Sequence, residues 1–227
     1  MTWVDQHASA WNRQYQGGRY VGDPPEPFVS DILAAAQSGG VSSGLYIGCG
    51  NGRNLLPLLD AGLDLTGLDI SAEAIEQLRR ARPEDAARFV QGTVAGLPDD
   101  QRFDLVVGIQ VFMFGTRAQT HQHLRDAQAR VRPGGLLAMR ANAVGTDVWP
   151  AHSVLEQHPD GSFTVTYSEG PKAGLDVHFF SETELNSLFS DWVKVLPLRV
   201  DRRARVHGPG HWTQYEAVWR RRGQLSG

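Results

Sequence analysis

A run of glycines carries the strongest chemical signal in this sequence. Gly48-Cys49-Gly50-Asn51-Gly52 follows a short apolar segment and precedes a helical one. Glycine tolerates positive φ and lets a ligand approach the backbone closely. Asp69 ends the next apolar segment, about 20 residues further on, where an acid can accept hydrogen bonds from a ribose diol. The loop and the acid predict a site for a nucleotide-like ligand, and an ordinary strand–helix turn is the alternative.

The spacing of the glycines separates two kinds of cofactor. A nicotinamide dinucleotide site has the pattern Gly-x-Gly-x-x-Gly, whose third glycine allows helix and strand to pack closely. Here the third glycine comes one place early, and Arg53 stands where that glycine belongs. S-adenosylmethionine (SAM) has no pyrophosphate and needs only a glycine curve, so the loop favours SAM. Cys49 has no obvious His and acid beside it, and we interpret it as a small buried residue rather than a nucleophile.

Residues 44–140 resemble the core of the class I SAM-dependent methyltransferases. The motifs that carry the resemblance are Leu45–Asn54, Gly67–Ser71, Phe103–Val107 and Arg132–Gly135. Within that class the chain is similar to the tellurite-resistance methyltransferase branch, through Val111–Phe114, Ala143–Pro150, Phe179–Leu185 and Asp191-Trp192. The resemblance implies an α/β fold with a Rossmann-like, doubly wound sheet of seven strands. The sheet would be mostly parallel, with its last strand antiparallel and helices on both faces.

The resemblance also implies which residues hold SAM. Gly48, Gly50 and Gly52 would line its methionine and ribose part, Asp69 would bind the ribose hydroxyls, and Gln110 would contact the methionine amino group. The full set of expected cofactor-binding residues is Gly48, Cys49, Gly50, Asn51, Gly52, Asn54, Asp69, Ile70, Thr93, Val94, Gln110, Val111, Tyr15 and Tyr20. The family often has an acid after the third strand, where this chain has Thr93. Adenine is therefore expected against Ile70, held by backbone groups and the Thr93 hydroxyl.

Residues on the acceptor side are harder to predict, because methyl transfer from an activated sulfonium needs alignment more than a fixed set of catalytic groups. A base is needed only if the nucleophile must lose a proton. The substrate-side candidates are Phe114, Arg140, Trp149, His178 and Trp212, and the candidate bases are His178, His207 and His211. Tyr15, Arg19 and Tyr20 are expected to reach the methionine carboxylate or the substrate.

Apolar and helical segments alternate along the chain in a way typical of parallel βαβ units. Strands are expected at 44–47, 65–68, 88–91, 103–109 and 136–140, with a terminal pair at 193–200 and 212–219, and helices at 28–37, 54–61, 72–82 and 116–131. Ser71 is expected to cap the helix at 72–82, residues 132–135 to form a turn, and residues 181–184 to form a capping box. We divide the single methyltransferase domain, 1–227, into a cap at 1–40 that is irregular or helical, a SAM-binding core at 41–141, a substrate-side insertion at 142–180 and a C-terminal helix and strand pair at 181–222. The insertion is expected to contain a hairpin of 163–167 with 176–180.

Composition limits the partners. The 227 residues are 41% hydrophobic with a net charge of −3, which favours neither nucleic acid nor a membrane surface, and no apolar run approaches the ~20 residues of a membrane span. The one cysteine and an N-terminus without a signal-peptide pattern predict a cytoplasmic protein, monomeric or homodimeric. No metal is expected. His121 and His123, two residues apart on a predicted helix, do not share a face and are expected to be solvated.

The leading prediction is a methyltransferase that carries a methyl group from SAM to a small-molecule nucleophile by in-line displacement, leaving S-adenosylhomocysteine (SAH). One alternative is an RNA methyltransferase, in which the arginines between 199 and 205 would line a groove. The other is a protein that binds SAM without catalysis.

Overall fold

The computed structural model describes residues 3–205 and 208–223. These ranges contain six α-helices: α1 Trp3–Gln16, α2 Phe28–Ser38, α3 Leu55–Asp60, α4 Ala72–Ala81, α5 Arg117–Ala129 and α6 Glu182–Leu188. They also contain ten strands: β1 Ser43–Ile47, β2 Asp64–Asp69, β3 Phe89–Gln91, β4 Phe103–Ile109, β5 Val131–Asn142, β6 His152–Gln157, β7 Phe163–Tyr167, β8 Asp176–Phe179, β9 Trp192–Ala204 and β10 His211–Arg221.

Seven strands form the central sheet, in the order β3-β2-β1-β4-β5-β10-β9. Strands β1 to β5 pair in parallel, whereas β10 is antiparallel to both of its neighbours. The strand order reverses between β1 and β4. The crevice outside the carboxyl ends of these two strands is where such sheets bind ligands. The expected fold is confirmed, including the antiparallel last strand.

Two apolar layers sandwich the sheet because successive side chains of a strand point to opposite faces. Leu45 and Val106 belong to the layer covered by α5 and α6, and Tyr46 and Val107 belong to the layer covered by α2, α3 and α4. These strand residues are at most 1% exposed. Both faces of β1 and β4 are therefore buried, and the ends of the two strands are held rigidly.

The insertion forms a second sheet of three strands, in the order β6-β7-β8, which we call the lid sheet. The predicted hairpin is β7 and β8. Strand β6 was not predicted, because its Val154 and Leu155 are adjacent, both exposed, and break the apolar alternation. Bridges from Phe114 to Val177 and from Ala143 to Phe180 attach the lid sheet to the segments that follow β4 and β5.

Several boundaries follow from local chemistry. Ser71 caps α4 by accepting a hydrogen bond from the Ala74 N–H, as expected, and Ser181 forms the predicted capping box at α6. The segment 132–135, expected as a turn, is an irregularity within β5: the strand begins at Val131, but its pairing with β4 skips from Val131 to Leu136. Among the described helices, none has both the length and the apolar character that crossing a membrane requires.

Candidate functional site

Two adjoining cavities open at the carboxyl ends of β1 and β4. The first cavity, of about 280 Å³, lies between the glycine loop, the ends of β2 and β4, and α1. The second cavity, of about 480 Å³, lies between α1, β5, β9 and β10. The residues that line both are Trp11, Tyr20, Arg53, Gln110 and Phe114. This junction is where a ligand in one cavity would meet a ligand in the other.

Asp69 ends β2 in the wall of the first cavity, and the backbone fixes its side chain. Its oxygens accept hydrogen bonds from the Gly50 N–H and the Ser71 N–H, each at 2.8 Å. Burial raises the pKa of Asp69, and the backbone N–H groups offset part of that rise. A carboxylate has about four lone-pair sites, so lone pairs are left for a ribose diol.

The loop glycines combine positive φ with packing too tight for a side chain. A Cβ on Gly48 (φ 69°) would lie 2.6 Å from Cγ2 of Val111, and a Cβ on Gly50 (φ 55°) would lie 2.3 Å from the Tyr15 hydroxyl oxygen. Both glycines line the first cavity. Gly52 does not: a Cβ there would meet Leu78 of α4 at 2.5 Å. Gly52 therefore packs the loop against α4 instead of facing a ligand, contrary to its expected role.

Arg53 fits SAM better than a dinucleotide. Its guanidinium pairs with Glu26 at 2.5 Å, and its Nε donates to the Pro24 carbonyl at 2.7 Å. The side chain lines the cavity, at the position where a dinucleotide site has a glycine for close packing of helix and strand. The loop thus offers a glycine curve with an acid beside it, which suits a cofactor without a pyrophosphate.

Helix α1 covers the glycine loop. The residues of α1 that line the first cavity are Val4, His7, Trp11 and Tyr15, spaced three or four apart on one helix face. The Asn12 side-chain oxygen accepts hydrogen bonds from the Ser71 hydroxyl at 2.8 Å and the Glu73 N–H at 3.2 Å. The cap is therefore anchored at the N-terminus of α4, next to Asp69.

Two non-glycine residues with left-handed backbone conformations lie at the junction. Gln110 has φ 57° and Tyr20 has φ 62°. Such conformations are uncommon outside glycine and persist where the surroundings enforce them, often at functional sites. The Gln110 N–H donates to the Arg140 carbonyl at 2.7 Å, which holds the turn and turns Gln110 toward both cavities.

The far end of the first cavity contains Thr93 and Val94, with His123 and Asp126 of α5 beside them. The pKa of His7 is lowered to about 4, mainly because the side chain is buried. Burial also lowers the pKa of His123. Both imidazoles are neutral at pH 7, and this end of the cavity suits an uncharged ring. Asp126 of α5 also lines this end of the cavity, where the sequence led us to expect backbone groups and Thr93.

The wall of the second cavity contains a buried charge network around Arg140, which is 4% exposed. Its guanidinium is 2.8 Å from Asp201, 3.3 Å from Glu216 and 3.4 Å from Glu26. Arg203 adds pairs to Glu26 and Asp201 at 3.2 and 2.7 Å. The charges of the two arginines are thus compensated within the protein.

Comparison with known proteins relates this chain to methyltransferases. Residues 45–135 match the family model described as “Methyltransferase domain”. The probable SAM-dependent methyltransferase TehB of Haemophilus influenzae is 26% identical over 164 residues, 71% of this chain and 50% of TehB. A crystal structure of TehB from that organism aligns with a TM-score of 0.61 at 20% identity, over 93% of this chain and 67% of the other.

The match over residues 45–135 and the likeness to TehB support a class I SAM-dependent methyltransferase of the TehB-like branch.

Other relatives show how far the likeness extends. Hemagglutinin 1 of Eikenella corrodens is 27% identical over 165 residues, 72% of this chain and 48% of that protein. The chain thus spans about half the length of the curated relatives it matches. A Burkholderia thailandensis 1,6-didemethyltoxoflavin-N1-methyltransferase, crystallised with 1,6-didemethyltoxoflavin and SAH, aligns with a TM-score of 0.64 at 16% identity, over 98% of this chain and 92% of that one. At that identity the likeness is one of fold.

The structure brings together most of the residues expected to serve this methyltransferase. All of the expected cofactor-binding residues except Gly52 line the first cavity. On the substrate side, Phe114, Arg140 and Trp212 line the second cavity. Trp149 lines neither cavity: it is 41% exposed and lies under the Arg205 guanidinium, 5.6 Å from it.

The two candidate bases that the structure describes, His178 and His211, line neither cavity. His178 is fully buried between Thr164, at 2.9 Å, and Glu184, at 3.1 Å, where it ties β8 to α6. His211 lies 3.4 Å from Asp147 and lines neither cavity. His207 lies outside the described residues. The two described candidates therefore have positions that suit structure better than catalysis.

The expectation that His121 and His123 are solvated was wrong. His121 Nε2 lies 2.5 Å from Glu184, whereas His123 lines the first cavity. They diverge because residues two apart on a helix face different sides. Among the described residues, no three His, Cys, Asp or Glu side chains are arranged to hold a metal ion.

Sequence reasoning missed Trp11 and Lys172 as site residues. Trp11 could have been found from its spacing with Val4, His7 and Tyr15, which marks one face of a helix. Lys172 had no such signal. It ends a single 3₁₀ turn in the insertion, Gly170–Lys172, and reaches the second cavity only because the lid sheet folds over α1.

Proposed function

We propose that this methyltransferase transfers a methyl group from SAM, held in the first cavity, to a small-molecule nucleophile held in the second. The observation that carries this proposal is the junction of the two cavities at Gln110. The second cavity, at about 480 Å³, is within the range of small-molecule sites, about 300–1,000 Å³. Fold neighbours support the same substrate class, since one was crystallised with a small heterocycle and SAH and another is the N-methyltransferase NodS in complex with SAH.

The protein's contribution would be binding, orientation and exclusion of water. Asp69 would hold the ribose, and Gln110 and Tyr20 would hold the methionine end at the junction. SAM, when bound, would supply an activated methyl group: an in-line nucleophile would bond to the methyl carbon as the carbon–sulfur bond breaks and SAH leaves. Alignment of two bound reactants provides a large part of the acceleration in such a reaction. Helix α1 and the lid sheet would keep the junction dry.

An RNA substrate has weaker support. Arg199 pairs with Glu216 at 2.7 Å and also with Asp31, and Arg203 pairs with Glu26 and Asp201. These arginines are compensated by carboxylates, and a phosphate backbone would have to compete with those ion pairs. For the same reason we favour a small acceptor. We also infer a reducing, cytoplasmic setting from the single, buried Cys49.

The test is SAH formation from SAM in the presence of a panel of phenols, amines, thiols and chalcogen oxyanions, measured by mass spectrometry. We expect turnover with at least one class, and a loss of at least about a hundredfold, or ~2.7 kcal/mol of transition-state stabilisation, in Asp69→Ala. The exposed Asp100 provides the control, and Asp100→Ala should match the wild type. Tight SAM binding without turnover on any acceptor would instead indicate a non-catalytic SAM-binding protein.

A further inference from the structure

Lys172 is held over the second cavity by two contacts between its turn and α1. The Gln14 side-chain amide donates to the Pro171 carbonyl at 2.6 Å, and that of Gln6 donates to the Gly174 carbonyl at 3.3 Å. The Lys172 ammonium lies 5.6 Å from the ring centroids of both Phe114 and Trp212. These contacts place a cation in the wall of the proposed acceptor site, above a ring that also lines the first cavity.

The charges around the second cavity do not balance. Its charged lining residues are the cations Arg19, Arg53, Arg140, Lys172 and Arg203 and the carboxylates Asp23, Glu26 and Asp201. Arg53, Arg140 and Arg203 are paired with Glu26 or Asp201. Within the part of the chain that the structure describes, no carboxylate oxygen lies within 4 Å of the Lys172 ammonium. The cavity therefore has an excess of positive charge centred on Lys172 and Arg19.

The surroundings of Lys172 disfavour its charge. Burial is the largest cause, with Arg19 and Arg205 adding repulsion, and together they lower the pKa of Lys172 to about 8. The amine is still mainly an ammonium at pH 7. A desolvated cation that faces other cations gains more from an anionic ligand than a solvated surface lysine does.

The remaining lining points to a flat molecule. Four aromatic rings line the cavity: Trp11, Tyr20, Phe114 and Trp212. The carboxamide of Gln214, which is 2% exposed, also lines it, and its oxygen has no hydrogen-bond partner among the described residues. Stacking on aromatic walls and a donor on the ligand for Gln214 would satisfy these groups.

We propose that the second cavity binds an anionic, planar aromatic acceptor whose negative charge pairs with the Lys172 ammonium. This proposal rests on the proposed function and specifies its substrate class. Arg140 cannot take this role because three carboxylates already compensate it. With its charge at Lys172 and its ring against Phe114, the acceptor would extend toward the junction at Gln110.

The test is calorimetric titration of the SAH-loaded protein with 2-naphthoate and with 2-naphthamide, its neutral analogue. We expect the wild type to bind the carboxylate at least about tenfold more tightly. Lys172→Met should abolish that preference while SAH affinity stays unchanged. The sequence has one other lysine, the exposed Lys194, and Lys194→Met should keep the full preference.

A pH series sharpens the test. Binding of 2-naphthoate to the wild type should weaken as the pH rises through about 8, because Lys172 loses its proton there, and Lys172→Met should show no such step. If Lys172→Met does not fold, amine acetylation of the wild type replaces it: 2-naphthoate, and not 2-naphthamide, should protect Lys172, with Lys194 unaffected by either.

Equal affinity for the two probes, an absence of 2-naphthoate binding, or a preference that survives in Lys172→Met would overturn the proposal. Failure of the wild type to bind SAH would instead contradict the proposed function.

Discussion

At the residue scale, the contact of Gly50 with Tyr15 explains why the loop needs glycine there. In Gly50→Ala, the new methyl group would meet the Tyr15 hydroxyl oxygen at 2.3 Å, in a left-handed backbone conformation. We expect SAH affinity to fall at least about tenfold, or ~1.4 kcal/mol. Calorimetry measures this, and Gly223→Ala, where a Cβ meets nothing within 4 Å, should bind SAH normally.

A second substitution tests whether the contact with the Tyr15 hydroxyl causes the loss of affinity. Tyr15→Phe removes the oxygen that the methyl group meets, so the double variant should recover part of the affinity lost in Gly50→Ala. The backbone strain would remain. Strictly additive losses in the two variants would contradict a direct clash, since residues in contact are expected to couple.

The ionisation of Asp69 gives a pH prediction for cofactor binding. Burial raises the pKa of Asp69 above the usual aspartate range, despite the opposing hydrogen bonds from Ser71, Gly50 and Ile70. Protonation turns one carboxylate oxygen into a hydrogen-bond donor and weakens the carboxyl group as an acceptor. SAH affinity should therefore fall on acidification, and the fall should start at a higher pH than an exposed aspartate would give. The pH profile of Asp69→Asn should lack this step.

At the element scale, α1 is a cap whose position depends on Asn12. In Asn12→Ala, the Ser71 hydroxyl and the Glu73 N–H lose their acceptor on α1. We expect SAH affinity to drop several-fold, with a modest loss of thermal stability, since each of the two hydrogen bonds contributes about 1 kcal/mol. Arg13, one residue on, is exposed and bonds to Ser9 within α1. If Arg13→Ala lowered SAH affinity as much as Asn12→Ala, the anchoring role of Asn12 would be contradicted.

Arg140 joins β5 to β9, β10 and the segment before α2. Arg140→Met would leave Glu26, Asp201 and Glu216 without their shared cation. Breaking a buried network in this way costs about 3–5 kcal/mol of unfolding free energy, whereas an exposed pair contributes about 0–1 kcal/mol. Chemical denaturation should show the large loss in Arg140→Met and a small one in Arg132→Met, whose partner Asp104 is half-exposed. Similar losses in both would contradict the role of burial.

The contrast between these elements explains what the sequence could predict. The glycine loop, Asp69 and β4 are local patterns, and their positions follow from strand ends meeting at one edge of a sheet. The cap, Lys172 and the partners of Arg140 lie far apart along the chain. Their meeting depends on how α1 and the lid sheet pack, which no local pattern contains. The segment expected as a turn, 132–135, lies inside β5, where the pairing with β4 skips from Val131 to Leu136.

At the scale of the whole molecule, Glu184 connects the lid sheet to the core. It is 2% exposed and contacts His121 of α5 at 2.5 Å, Arg117 at 2.8 Å and His178 of β8 at 3.1 Å. Burial would raise the pKa of Glu184, but the hydrogen bonds from the two histidines and the charge of Arg117 outweigh it, and the pKa lies well below the usual range.

A depressed carboxylate pKa stabilises the fold above the ordinary glutamate range, and that contribution is lost as the pH falls below it. Thermal unfolding of wild type and Glu184→Gln should therefore differ most near neutral pH and converge on acidification. Glu182→Gln, at an exposed position of the same helix, should match the wild type throughout. A constant difference between wild type and Glu184→Gln at every pH would show that its charge is not what matters.

The central claim is that the first cavity binds SAM through Asp69. Calorimetric titration of the wild type and Asp69→Ala with SAH and with NAD tests it most directly. The account predicts that the wild type binds SAH and not NAD, and that Asp69→Ala loses at least about 2 kcal/mol of SAH binding, as expected for a charged hydrogen-bonding group. A wild type that prefers NAD, or an Asp69→Ala variant that binds SAH as tightly as the wild type, would contradict it.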